Sequence, residues 1–145
     1  MMRWFLLAAL LGPTGALGAT SASVQKVYRD AVGQMPVAEQ NAQKSVASQD
    51  HFRTAVILLR ATEKAFSKKD YGAAYGLAEQ AGFYARFKGK TLSLKTLTKK
   101  YAPYVAAAEK GVPAGAHLLG GKWKAYVSPD TIGFYGTIPH HRRLH

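Results

Sequence analysis

The chain has 145 residues, no cysteine, and 20 lysines and arginines against 8 aspartates and glutamates, a formal net charge of +12. That length fits one domain with a core of its own. The missing cysteines exclude a disulfide framework, a thiolate metal site, a cysteine nucleophile and a lipid-modified N-terminal cysteine.

Arg3 precedes an apolar run from Trp4 to Leu11, which Gly12 and Pro13 break and small residues follow. This is the layout of a secretory signal peptide over residues 1–22: a positive start, a greasy core, a small-residue cleavage zone. Cleavage after Gly18 or after Ala22 leaves 127 or 123 residues. The apolar run is shorter than the ~20 residues that span a bilayer, and no later stretch approaches that length. The expectation is therefore an exported, soluble chain, periplasmic or secreted. Export without disulfides points to a bacterial envelope rather than an animal secretion. Losing Arg3 leaves 19 basic residues against 8 acidic ones, a net of +11. Such a charge favours anionic partners: an envelope polymer, lipid headgroups or an acidic protein. Export disfavours nucleic acid.

Residues 23–110 read as a helical domain. Val24, Val27, Tyr28, Ala31, Val32 and Met35 recur at three- and four-residue steps, as in an amphipathic helix ending near Gly33 ahead of Pro36. From Val37 a second pattern runs through Ala38, Ala42 and Val46. Phe52, Ala55, Val56, Leu58, Leu59, Thr62, Ala65 and Phe66 then form a wide apolar face. Residues 37–69 make either one long helix or two, with Ser48 and Asp50 as N-caps at the break. Lys68 and Lys69 suit a helix C-terminus. Asp70 caps a helix over 71–88, whose face is Ala74, Leu77, Ala78, Ala81, Tyr84 and Ala85, with Gly89 closing it. Gly72, Gly76 and Gly82 cost that helix stability, so close helix–helix approach is expected there. A further stripe over 91–110, Leu94 to Ala108, is interrupted by Pro103, which predicts a kink or two short helices.

Residues 111–138 change character. A glycine-rich stretch precedes Lys122–Val127, where Trp123, Ala125 and Val127 share one side. Ser128-Pro129-Asp130 is turn chemistry, and Ile132, Phe134 and Ile138 alternate beyond it. This predicts either a β-hairpin docked on the helices or an extended aromatic tail. Residues 139–145 are expected to be a disordered basic, histidine-bearing tail. The fold class expected is mainly α: a small antiparallel helical bundle built around the 52–88 hairpin.

The stretch Leu58–Arg86 resembles one helical hairpin of the tetratricopeptide type. Asp70-Tyr71-x-x-Ala74-x6-Ala81 reproduces that repeat's small-residue spacing at the turn and second helix. Leu58, Ala61, Thr62 and Ala65 occupy its first-helix positions, although Ala61, Thr62, Ala65 and Arg86 differ from the repeat's usual leucine, glycine, tyrosine and proline. The match covers 29 of 145 residues, without a second copy at the repeat's offset. Ala65-Phe66, Asp70-Tyr71, Ala74, Leu77-Ala78 and Ala81 also resemble alanine-rich helical hairpins of bacterial envelope proteins. Either resemblance implies scaffolding or protein binding rather than catalysis.

Two groups of residues carry the functional expectation. Arg86, Lys88, Lys90, Lys95, Lys99 and Lys100 form a basic run without an acid. Tyr84, Phe87 and Tyr101 beside it would supply contact area for an anionic partner. Trp123, Tyr126, Phe134 and Tyr135 form an aromatic strip that either seals the bundle or docks a partner. Of His51, His117, His140, His141 and His145, the last three cluster in a tail that lacks a rigid frame for a metal. No acid–histidine or serine motif suggests catalysis, so no catalytic residue, metal or cofactor is expected. The reading is a non-enzymatic envelope protein that binds or scaffolds an anionic partner. Its rivals are an accessory subunit of a larger assembly and a small histidine- or metal-dependent enzyme.

Overall fold

A computed structural model describes residues 18–87, 101–112, 115 and 120–137. These form α1 (Ser21–Gly33), α2 (Met35–Ala42), α3 (Val46–Ser67), α4 (Tyr71–Arg86), α5 (Ala102–Glu109), β1 (Gly120–Val127) and β2 (Ile132–Thr137). The fold is mainly α with a small antiparallel sheet. No described helix is long and apolar enough to cross a membrane.

Helix α1 begins inside the zone assigned to signal cleavage. Its N-cap is Thr20, whose hydroxyl accepts the Ser23 amide at 3.1 Å, while the Ser23 hydroxyl accepts the Thr20 amide at 2.8 Å. This reciprocal pair satisfies two amides that a bare helix end would leave unpaired. Helix α2 follows at once, with Pro36 in its first turn, where its missing N–H costs nothing.

The stretch 37–69 is two helices, and the break differs from the expected one. It falls at Gln43–Ser45, where the Ser45 hydroxyl accepts the Ser48 amide at 3.1 Å. Ser48 and Asp50 therefore lie within α3 rather than capping it, and Ser48 is buried. One earlier serine captures the amide because its own backbone is extended there, as an N-cap requires.

Helices α3 and α4 form the antiparallel pair at the centre. Lys69 takes a left-handed φ of 62°. The Asp70 amide donates to the Ala65 carbonyl and the Lys69 amide to Phe66, each at 2.9 Å. These two bonds satisfy the last carbonyls of α3. Asp70 then caps α4 by accepting the Ala73 amide at 3.2 Å, and its second oxygen accepts the Tyr104 hydroxyl of α5 at 2.8 Å. One residue so ends a turn, starts a helix and anchors another. Helix α4 stops at Arg86, with Phe87 extended behind it, short of the expected residue 88.

Two glycines of α4 meet different surroundings. Gly82 faces α1 at ordinary contact distance: a Cβ there would stand 3.8 Å from the Ala31 Cβ, so the crossing does not require glycine and the close approach expected at this position is not what it provides. Gly76 instead receives the Tyr101 ring, which any Cβ would strike. Pro103 sits in the first turn of α5 rather than kinking a longer helix. The expected stripe before Tyr101, Gly89, and residues 139–145 lie outside the described residues.

Residues 120–137 form the hairpin, antiparallel, with Ala125 opposite Phe134 and Val127 opposite Ile132. Around the turn the Ser128 amide donates to the Thr131 carbonyl at 2.7 Å. The sheet docks on the helices, as two lone strands in water must. Its inner face carries Trp123, Ala125, Val127, Ile132 and Phe134, all packed into or against the core. Trp123 stacks on Phe134 at 5.7 Å and meets Phe52 of α3 edge-on at 5.6 Å.

Candidate functional site

Sheet pleating decides which hairpin residues can meet a partner. Side chains alternate between faces, so burying Trp123, Ala125 and Val127 sends Lys122, Lys124 and Tyr126 outward. On β2, Tyr135 faces out opposite Lys124. Tyr126 and Tyr135 are 49% and 54% exposed. Their ring centres lie 6.5 Å apart. Tyr126 pairs across the sheet with Gly133 and lies over it, so that a Cβ at 133 would strike the ring. Glycine thus lets the ring rest flat on the neighbouring strand. Neither strand contains an aspartate or glutamate. The outer face is therefore cationic and aromatic.

Polar anchors hold this face in place. The Trp123 indole donates to Glu39 of α2 at 3.1 Å. Gln25 of α1 donates to the Ser128 carbonyl at 2.9 Å. The Arg60 guanidinium lies 3.9 Å from the centre of the Phe134 ring and donates to the Phe134 carbonyl at 3.4 Å. Arg60 also binds both oxygens of Glu63, at 3.1 and 2.9 Å. The fully buried Tyr28 hydroxyl donates to Glu63 at 2.5 Å. Burial, and next the Glu63 charge, raise the Tyr28 phenol far above its ordinary value, so it stays a donor. Burial raises the Glu63 carboxyl as well, against the opposing pull of Arg60.

The residues expected to bind a partner divide. Lys88, Lys90, Lys95, Lys99 and Lys100 lie outside the described residues. Tyr84 is buried to 1% exposure and offers no contact area, a correction forced by its place on the inner face of α4. Phe87 is half-buried against the His51 ring, with centres 4.9 Å apart. Tyr101 is half-buried over Gly76. Arg86 is exposed, with its guanidinium folded back over Gly82.

The aromatic strip splits by face. Phe134 is buried and Trp123 half-buried, so Phe134 cannot dock a partner and belongs to the core. Only Tyr126 and Tyr135 remain outward. His51 is buried, and neither of its ring nitrogens has a hydrogen-bond partner. The other four histidines lie outside the described residues.

Sequence reasoning overlooked Lys122 and Lys124 as site residues, although their alternation with Trp123 and Ala125 was available. It also overlooked Tyr28, Arg60, Glu63 and Glu39, which join only through the fold. No family model matches the chain, and neither a curated protein nor a solved structure is significantly similar to it.

Proposed function

We propose that this chain is an exported, non-enzymatic binding protein of the bacterial envelope, and that it holds an anionic glycan polymer on the outer face of its hairpin. One observation carries the reading: Lys122, Lys124, Tyr126 and Tyr135 share an acid-free exposed face whose reverse side is spent on the core. Lysines attract the polymer's carboxylate, sulfate or phosphate groups, and tyrosine rings give flat surfaces for sugar rings. The net charge of +11 left after loss of Arg3 extends the attraction beyond the face. Lys88, Lys90, Lys95, Lys99 and Lys100 would add charge to the same partner.

The Thr20–Ser23 capping pair favours release after Gly18, which keeps the cap, over release after Ala22, which removes it. N-terminal sequencing of the exported protein should then begin at Ala19.

The binding test is retention on heparin, a soluble anionic glycan, across a salt series. Wild-type protein should bind at low salt and weaken steeply as salt rises. The double variant Lys122→Ser/Lys124→Ser should show a clearly shallower salt dependence. Failure of wild type to bind at low salt, or an unchanged slope in the variant, would overturn the reading. Equal retention on DNA would reduce the face to unspecific charge, and retention only on anionic vesicles would transfer the role to lipid.

A second reading is supported by the same exposed rings. As an accessory subunit of a larger assembly, the chain would keep Tyr126 and Tyr135 permanently covered by an acidic neighbour. Capture of one stoichiometric acidic protein from a solubilised native envelope, lost in Tyr126→Ser/Tyr135→Ser, would favour it.

A further inference from the structure

A second site lies away from the hairpin face, between α1 and α4. Val27, Asp30 and Ala31 on one helix and Ala78, Glu79, Gly82 and Arg86 on the other line a cleft of about 230 Å³. The floor is made of small residues, Ala31, Ala78 and Gly82. The rim carries two carboxylates and one guanidinium. Among the described residues, none of Asp30, Glu79 and Arg86 forms a side-chain hydrogen bond or ion pair with another residue.

The helix places them at a useful spacing. Glu79, Gly82 and Arg86 recur at three- and four-residue steps, so they share one face of α4. Arg86 does not extend along the axis. Its guanidinium turns back until one nitrogen stands 3.3 Å from where a Gly82 Cβ would be. That brings the guanidinium to within about one turn of Glu79, roughly 4.5 Å of axial rise. Asp30 approaches from the facing helix. Burial raises the Glu79 carboxyl above its ordinary range.

We propose that this cleft binds a small zwitterion, an amino acid or dipeptide, with its ammonium between Asp30 and Glu79 and its carboxylate on the Arg86 guanidinium. Ammonium and carboxylate each make charge-assisted hydrogen bonds to groups of opposite sign. A purely anionic ligand would meet two carboxylates, and a purely cationic one would meet the guanidinium. The volume of about 230 Å³ suits a dipeptide: at ~30 Å³ per water it equals the space of about eight waters. Ala31, Ala78 and Gly82 leave room for methyl-sized side chains and would exclude a bulky one.

The test is a titration of the isotopically labelled full chain with dialanine, followed by amide resonances of Ala31 and Gly82. Alanine, N-acetyl-dialanine and dialanine amide run alongside it. Dialanine should shift both resonances saturably. The acetylated compound, which keeps only the carboxylate, and the amide, which keeps only the ammonium, should each bind at least about tenfold more weakly. Arg86→Met and Glu79→Gln should each weaken dialanine by about the same factor while far-UV circular dichroism stays unchanged. Tighter binding of alanine than dialanine would assign the cleft to a free amino acid of the same chemistry. No saturable shift with either zwitterion, or equal binding by the blocked compounds or the variants, would overturn the proposal. The Lys122→Ser/Lys124→Ser variant should bind dialanine as wild type does, so this site and the hairpin face stand or fall separately.

Discussion

Two tyrosines are buried almost equally, Tyr28 at 0% and Tyr84 at 1% exposure, yet their hydroxyls have opposite fates. Tyr28 donates to Glu63, which Arg60 grips in turn, and Arg60 lies on the Phe134 ring of the hairpin. The Tyr84 hydroxyl has no partner, and both nitrogens of the neighbouring His51 are likewise unpaired. The first tyrosine joins three parts of the fold through polar contacts. The second contributes volume and ring contacts, 6.0 Å to His51 and 5.9 Å to Phe83 between centres. Buried polar groups thus organise one side of this core and burden the other.

The comparison predicts effects of different size and sign. Glu63→Ala should be the most harmful change, since it leaves the Tyr28 hydroxyl and the Arg60 guanidinium without their shared acceptor. The cost should be about 3 kcal/mol in urea unfolding. Tyr28→Phe removes one hydrogen bond to a charged group but leaves Glu63 held by Arg60. It should cost about 1.5–2 kcal/mol. If either change proves neutral, the network does not organise the hairpin side.

A pH series sharpens the same point. Glu63 titrates above its ordinary value of 4.5 in the folded chain. The folded chain therefore holds a proton that the unfolded chain has already released. The stability this supplies is complete below 4.5 and is lost as pH rises through the higher folded value. Glu63→Gln should flatten the fall in stability as pH rises above 4.5, and an unchanged slope would contradict the burial of that carboxyl. The smallest effect belongs to Tyr84→Phe, which deletes an unpaired hydroxyl and keeps the ring. Stability should stay level or rise by up to about 1 kcal/mol. A clear loss would mean that the hydroxyl is satisfied in solution, and the contrast between the two tyrosines would close.

Local signals in the chain foretold local structure. Asp70 as a cap, the apolar face of α4, Gly33 as a helix end and the Ser128-Pro129-Asp130 turn are each set by a few neighbouring residues, and each is found in place. The start of α3 was misread because Ser45, three residues before Ser48, has the extended backbone an N-cap needs, which the serine and aspartate after it lack. The pairings that fix the hairpin were invisible for a different reason. Tyr28 meets Glu63 across 35 residues and Trp123 meets Glu39 across 84, and nothing local distinguishes those carboxylates from surface ones. The site was half legible for the same cause. A cluster of aromatics could be seen in the sequence, but alternation alone separates Tyr126 and Tyr135 from Trp123 and Phe134, and only once the sheet has docked on one side.

Trp123 gives this arrangement an optical consequence. The chain has two tryptophans, Trp4 and Trp123, and removal of residues 1–18 leaves only the second. Its indole sits between Phe52, Phe134 and the Glu39 carboxylate, where sheet meets helices. If residues 1–18 are removed as proposed, ultraviolet emission becomes a single-site gauge of that seam. A red shift preceding the loss of helical ellipticity on heating would reveal a hairpin that lifts away while the helices endure. Coincident transitions would mark the two as one cooperative unit.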